Sequence, residues 1–133
     1  MKKEQEKKAA EQRRKDNILL LTFSTERDLN LAHKNRLQAV ESIIQITNSN
    51  TKSLQNNLNQ LQKQAADYER SGQIVPERII ADMESLKEQI KDNQAFIARK
   101  QIVVNEINDK FGADLKRFRE LKGIAAKDKQ EEK

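Results

Sequence analysis

From Leu37 onward the apolar residues recur at alternating steps of three and four: Leu37, Val40, Ile44, Thr47, Thr51, Leu54, Leu58, Leu61, Ala65 and Tyr68. A second run keeps the same rhythm through Ile79, Met83, Leu86, Ile90, Asn93, Ile97, Lys100, Val104, Ile107, Phe111, Asp114, Phe118 and Leu121. This spacing keeps one narrow stripe of each helix facing a partner and is the pattern of a coiled coil. Between the runs stands Ser71-Gly72-Gln73-Ile74-Val75-Pro76, where glycine and proline interrupt the periodicity. Gly72 can end a helix in the left-handed conformation, and Pro76 suits the first turn of the next. Ile74 and Ile79, flanking a cap at Val75, have the spacing of a hydrophobic staple.

The expected fold is therefore all-α, a long antiparallel two-helix coiled-coil hairpin with a charged N-terminal helical extension. Its divisions are an extension over 1–24, a hairpin over 25–122 with its turn at 71–76, and a disordered charged tail over 123–133. Folding about the turn places Tyr68 against Ile79, Leu61 against Leu86 and Leu58 against Ile90, with arms about 70 Å long at 1.5 Å per residue. The same alignment puts His33 opposite Asp114, Asn93 opposite Leu54 and Lys100 opposite Thr47, and a slip of half a heptad keeps the stripes in contact. Thr25 and Asp28 have capping-box spacing for a helix starting at Glu26, although Leu19 and Phe23 also stay in phase for a continuous helix. Gly123 is the expected end of the second arm, with Ile124 placed to touch Phe118. Gly112, inside that arm, marks a bend or a close helix contact.

Composition narrows the function classes. The chain has 133 residues, 35% hydrophobic and 35% charged, no Trp and no Cys, which suits solvated helices better than a thick core. Without cysteine there is neither a disulfide framework nor a thiolate ligand. Ile18 to Leu21 is far shorter than the roughly 20 apolar residues a bilayer requires. The net charge of +5 is spread through interleaved acids and bases, the pattern of a solvated face more than of a nucleic-acid surface. The N-terminal bases Lys2, Lys3, Lys7, Lys8, Arg13, Arg14 and Lys15 could meet phosphates, but Glu4, Glu6 and Glu11 are mixed among them and no aromatic accompanies them. A frayed, solubilising helix is the favoured reading of that stretch.

His33 with Asp114 invites a catalytic or pH-switch reading. Nothing supplies a nucleophile or a pocket beside it, so a polar layer that fixes register is expected instead. A lone histidine is also a poor transition-metal site, so no catalytic residue, metal or cofactor is expected. Leu29, Ile43, Phe96 and Val103 each stand just before an a-site of the heptad and gather on one flank, making the apolar surface wider than two helices need. Residues 42–62 add a stretch with one charge, Lys52, among Asn, Ser, Gln and Thr. These features point to a protein partner or to a second copy forming a four-helix dimer, with Leu19 and Phe23 next as contact residues. The competing reading is that the flank thickens the hairpin core.

Several runs carry a family resemblance: Leu20-Leu21-Thr22-Phe23-Ser24-Thr25-Glu26-Arg27-Asp28-Leu29, Val75-Pro76-Glu77, Phe96-Ile97-Ala98-Arg99-Lys100, and Phe111 through Lys122. Together they resemble the C-terminal helical region of a group of uncharacterised proteobacterial envelope proteins. Those proteins bear an export signal and a small N-terminal β-rich domain of unknown function. The resemblance implies a periplasmic location and a chain that is a fragment of a longer exported protein, whereas Met1 as the native start implies the cytoplasm. It brings no catalytic residues. The function expected from sequence is a non-enzymatic scaffold or protein-interaction module of the bacterial envelope without a small-molecule substrate. A periplasmic chaperone or secretion-adaptor hairpin is the alternative, and nucleic-acid binding through the basic arm ranks below both.

Overall fold

The computed structural model describes residues 2–131, with side-chain surroundings as far as Gly123. It contains three helices: α1 (Lys2–Thr22), α2 (Glu26–Arg70) and α3 (Glu77–Glu131). Segments of α2 and α3 pack together as a helical hairpin, so the all-α hairpin is the observed fold. The chain divides into two compact units, one taking Met1–Gln38 and Asn105–Lys133 (the terminal unit), the other Ala39–Val104 (the turn unit).

The turn unit shows how the hairpin closes. The Gln73 amide donates to the Tyr68 carbonyl at 2.9 Å and the Gly72 amide to Glu69 at 3.1 Å, the paired bonds of a Schellman motif. Gly72 takes a φ of 71°, the left-handed region the sequence assigns it. The cap of α3 differs from expectation. The Pro76 carbonyl accepts from Ile79 and Ile80, so Pro76 itself is the cap. Ile74 is 93% exposed and makes no staple, while Ile79 is buried. The half-buried Val75 occupies the protected side of the turn instead.

Register takes the half-heptad slip that the stripes allow. Asn93 donates its side-chain amide to Thr51 Oγ1 at 3.1 Å and to Asn50 Oδ1 at 2.9 Å, three residues earlier than the expected Leu54. In the terminal unit His33 stacks on Phe111, also three residues before the expected Asp114. The expected alignment faced like heptad positions with like; both of these contacts pair an a-position with a d-position. Both alignments keep apolar residues in contact, but only the observed one gives the Asn93 amide polar partners, and an unpaired amide at a helix interface is costly. Thr47 and Thr51 donate their hydroxyls to the Ile43 and Thr47 carbonyls at 2.8 Å, so these two seam hydroxyls are satisfied within α2. Leu58, Ile79, Ile90 and Val104 are the buried residues of this unit.

In the terminal unit the chain breaks after Thr22 and restarts at Glu26. The Asp28 amide donates to Thr25 Oγ1 at 3.2 Å, the N-cap bond the sequence predicts, and no continuous helix forms. Leu19, Leu29 and Phe118 form a buried cluster, with Phe23, Phe111, Leu115 and Leu121 packed on it. The end of α1 is therefore part of a three-helix core, not an isolated extension, although residues 2–15 are exposed throughout. α3 runs through Gly123 to Glu131, so Gly123 does not end it. The Ile124 contact with Phe118 falls outside the described side chains. A Cβ built at Gly112 would meet nothing within 4 Å, so no close helix contact explains that glycine.

These backbone states give opposite expectations for two glycines. Gly72→Ala forces an L-residue into left-handed space and should lower unfolding free energy by about 1–2 kcal/mol. Gly112→Ala adds a methyl to open space in a regular helix and should raise it by about 0.5–1 kcal/mol. Urea denaturation of both variants checks the pair.

Candidate functional site

The break at Phe23–Thr25 turns α1 back so that its last turns face both other helices of the terminal unit. Leu19, in the last turn of α1, belongs to the cluster and Phe23, just past the end of α1, packs on it; full burial of a side chain of that size contributes about 1.5–3 kcal/mol. Asp16, one turn earlier on the same face, accepts two hydrogen bonds from Arg117 of α3, from Nε at 2.9 Å and from Nη2 at 2.8 Å. Arg117 also reaches Glu120 at 3.0 Å. On the α2 side Arg119 makes a similar fork onto Glu26, at 2.6 and 3.2 Å. Forked guanidinium–carboxylate pairs are directional, so they fix alignment, while water weakens their contribution to stability.

Their electrostatic consequence is visible in the carboxylates. The Arg117 hydrogen bonds hold the Asp16 carboxyl down at about 2, with Gln12's amide and the Arg117 charge helping and partial burial opposing. Glu26 is lowered in the same way by Arg119. Reciprocally, Asp16 and then Glu120 raise Arg117, and Glu26 raises Arg119.

Above the cluster the three helices leave a cleft of about 700 Å³. α1 lines it with Lys15, Ile18, Leu19 and Thr22, the break after it with Phe23, α2 with Leu29, Ala32, His33 and Arg36, and α3 with Ile107, Lys110, Phe111 and Asp114. The cleft that α2 and α3 alone form in the turn unit is smaller, about 390 Å³; in the terminal unit's cleft the end of α1 supplies a third wall. His33 lies in its wall, its ring 4.0 Å from Phe111 and nearly parallel to it, with Nε2 2.9 Å from Asn108 Oδ1. The His33–Asp114 pairing drawn from the sequence is absent, and Asp114 instead accepts from Lys110 at 2.8 Å. Among the described residues no group of three or more His, Cys, Asp or Glu side chains is placed to hold a metal ion.

The six residues singled out as partner contacts separate into two places. Leu29 is 3% exposed at the centre of the terminal unit's cluster, so the structure moves it from a surface flank into the core. Leu19 is buried beside it, and Phe23 packs against them. Ile43, Phe96 and Val103 lie in the turn unit, Ile43 being 41% exposed and the other two half-buried. Phe96 carries Lys100 Nζ 5.4 Å and Arg99 Cζ 5.9 Å from its ring centre, which keeps its outer face partly covered by cations. Sequence reasoning passed over Ile46 and Ile102, 70% and 57% exposed, because neither stands just before an a-site as Ile43 and Val103 do. It also missed Asp16 and Arg117. Asp16, Leu19 and Phe23 at helical spacing were the available signal that the end of α1 has a buried face.

The Asp16 carboxylate supplies a pH test. Its folded pKa lies below the unfolded value of about 4, so its stabilisation is present above that pH and is lost as pH falls from about 4 through about 2. A carbon-detected NMR titration should find Asp16 near 2, and Arg117→Ala should return it to about 4. An unchanged Asp16 in that variant would remove the ion pair as the cause. No protein-family model matches this chain, and no curated protein or solved structure matches it either.

Proposed function

We propose that the chain is a non-enzymatic helical scaffold that works by protein contact, using the Ile43 flank of the turn unit to meet a second copy of itself. The observation that carries this reading is the apolar surface left on that unit. Ile43 and Val103 occupy equivalent positions across the α2–α3 pair, and Ile46 lies one turn from Ile43. Exposed branched aliphatics concentrated on one flank are costly to leave in water, and association is the usual reason they persist. The α2 stretch bearing Ile43 and Ile46 has a single charge between residues 42 and 62, so a second copy meets little repulsion there. Two copies joined flank to flank form a four-helix, coiled-coil-like arrangement, the dimer expected from the heptad pattern.

The resemblance to proteobacterial envelope proteins supports the periplasm as the compartment for this scaffold. Among the described residues no helix is long and apolar enough to cross a membrane. A client-holding chaperone or secretion adaptor is the second reading. It draws on Leu21 and Leu31, which project from the terminal unit at 86% and 56% exposure. Such residues could hold an unfolded segment, and suppression of client aggregation by the purified chain would favour this reading.

Light scattering decides the first reading. The wild-type chain should be dimeric, and Ile43→Ala with Val103→Ala should raise the dimer dissociation constant at least about tenfold with helix content by circular dichroism unchanged. Parallel loss of helix content would assign both residues to the fold, and a monomeric wild type would remove the self-association reading.

A further inference from the structure

The terminal-unit cleft joins an apolar floor to a basic rim, and each of the three helices contributes one cation. Leu19, Phe23, Leu29 and Phe111 form the apolar part, while Lys15 of α1, Arg36 of α2 and Lys110 of α3 stand around it. Lys110 is engaged by Asp114, the cleft's single carboxylate, at 2.8 Å. Among the described residues neither Lys15 nor Arg36 has a carboxylate oxygen within 4.0 Å. Two positive charges thus face a hydrophobic hollow with nothing shown to balance them.

The hollow is short. Its lining spans Lys15–Phe23, Leu29–Arg36 and Ile107–Asp114, about two helical turns or 11 Å along each helix. A peptide helix anchored at i, i+3, i+4 and i+7 spans about the same length, so the choice of occupant rests on the cleft's volume and charge. The cleft's volume of about 700 Å³ falls in the range of small-molecule sites, which are mostly apolar with a few placed polar groups. We propose that this cleft binds an amphiphilic anion with one aliphatic tail, the tail lying on Leu19, Phe23, Leu29 and Phe111 and the headgroup held by Lys15 and Arg36. A carboxylate and a phosphate monoester share the required chemistry, since the guanidinium of Arg36 can fork onto either. This ligand departs from the sequence expectation of a chain with no small-molecule partner, and the proposal does not depend on self-association through Ile43.

The test titrates the full chain with dodecanoate and with dodecyl phosphate, each below its micellar concentration, by calorimetry. Saturable one-to-one binding of either supports the site, and which of the two binds identifies the headgroup. Dodecyltrimethylammonium, with the same tail and opposite charge, should not bind. Lys15→Glu with Arg36→Glu, both at exposed positions, should weaken binding at least about tenfold. Ala32→Phe, which fills the cleft and leaves its charges in place, should abolish binding and carries the test if the charge reversal disturbs folding. Three results would overturn the proposal: no saturable binding of either anion, equal binding of the cationic amphiphile, or binding indifferent to Ala32→Phe. Binding of an acidic amphipathic peptide in place of both anions would overturn it too, and would assign the cleft to a protein partner.

Discussion

The packing of Leu19 against Leu29 and Phe118 is the contact on which the candidate site depends. It joins one residue from each of the three helices, and without it α1 would have almost nothing apolar to hold it, since the residues before Asp16 are exposed. The forks of Arg117 on Asp16 and Arg119 on Glu26 then set how α1 and α2 align with α3. The division of labour follows from magnitudes: apolar burial supplies the free energy, while solvent-screened ion pairs supply direction. The cleft follows from this packing. Its floor belongs to the cluster, and its rim is formed where the three helices diverge.

The turn unit depends on a different kind of constraint. An uninterrupted apolar stripe tolerates a half-heptad slip, because the slip exchanges a- and d-positions and both are apolar. Asn93 breaks that degeneracy. Its amide finds Asn50 and Thr51 in one alignment and would face Leu54 in the other. Polar seam residues commonly act this way, giving up some stability for a single pairing. The Schellman turn at Gly72 is compatible with this alignment, because it reverses the chain while leaving Ile74 outside the packed surface.

Much of this architecture was legible in the residues. Seam spacing gave the hairpin, Gly72 gave the turn, and Thr25 with Asp28 gave the start of α2, because each is a local signal with a fixed geometric meaning. Register stayed open between two alignments because apolar steps of three and four look the same in both; matching Asn93 to the polar Asn50–Thr51 pair resolves it. Gly123 was misread as a stop because glycine permits a helix end without enforcing one. The candidate site was mostly hidden. Asp16 and Arg117 are 101 positions apart in the chain, and no local pattern connects them. Leu29 was placed on a flank because the reading allowed for two helices, and a third helix covers that flank.

The central claim is that α1 folds back into a three-helix core and does not trail as a solvated arm. Nuclear Overhauser contacts at Leu19 test this most directly. The account predicts cross-peaks from the Leu19 methyl groups to the Phe118 ring protons and to the Leu29 methyl groups, with slowed amide exchange in the last turns of α1. Leu19 methyl groups that show contacts only within α1, together with fast amide exchange as far as Thr22, would contradict it and remove the cleft as a site.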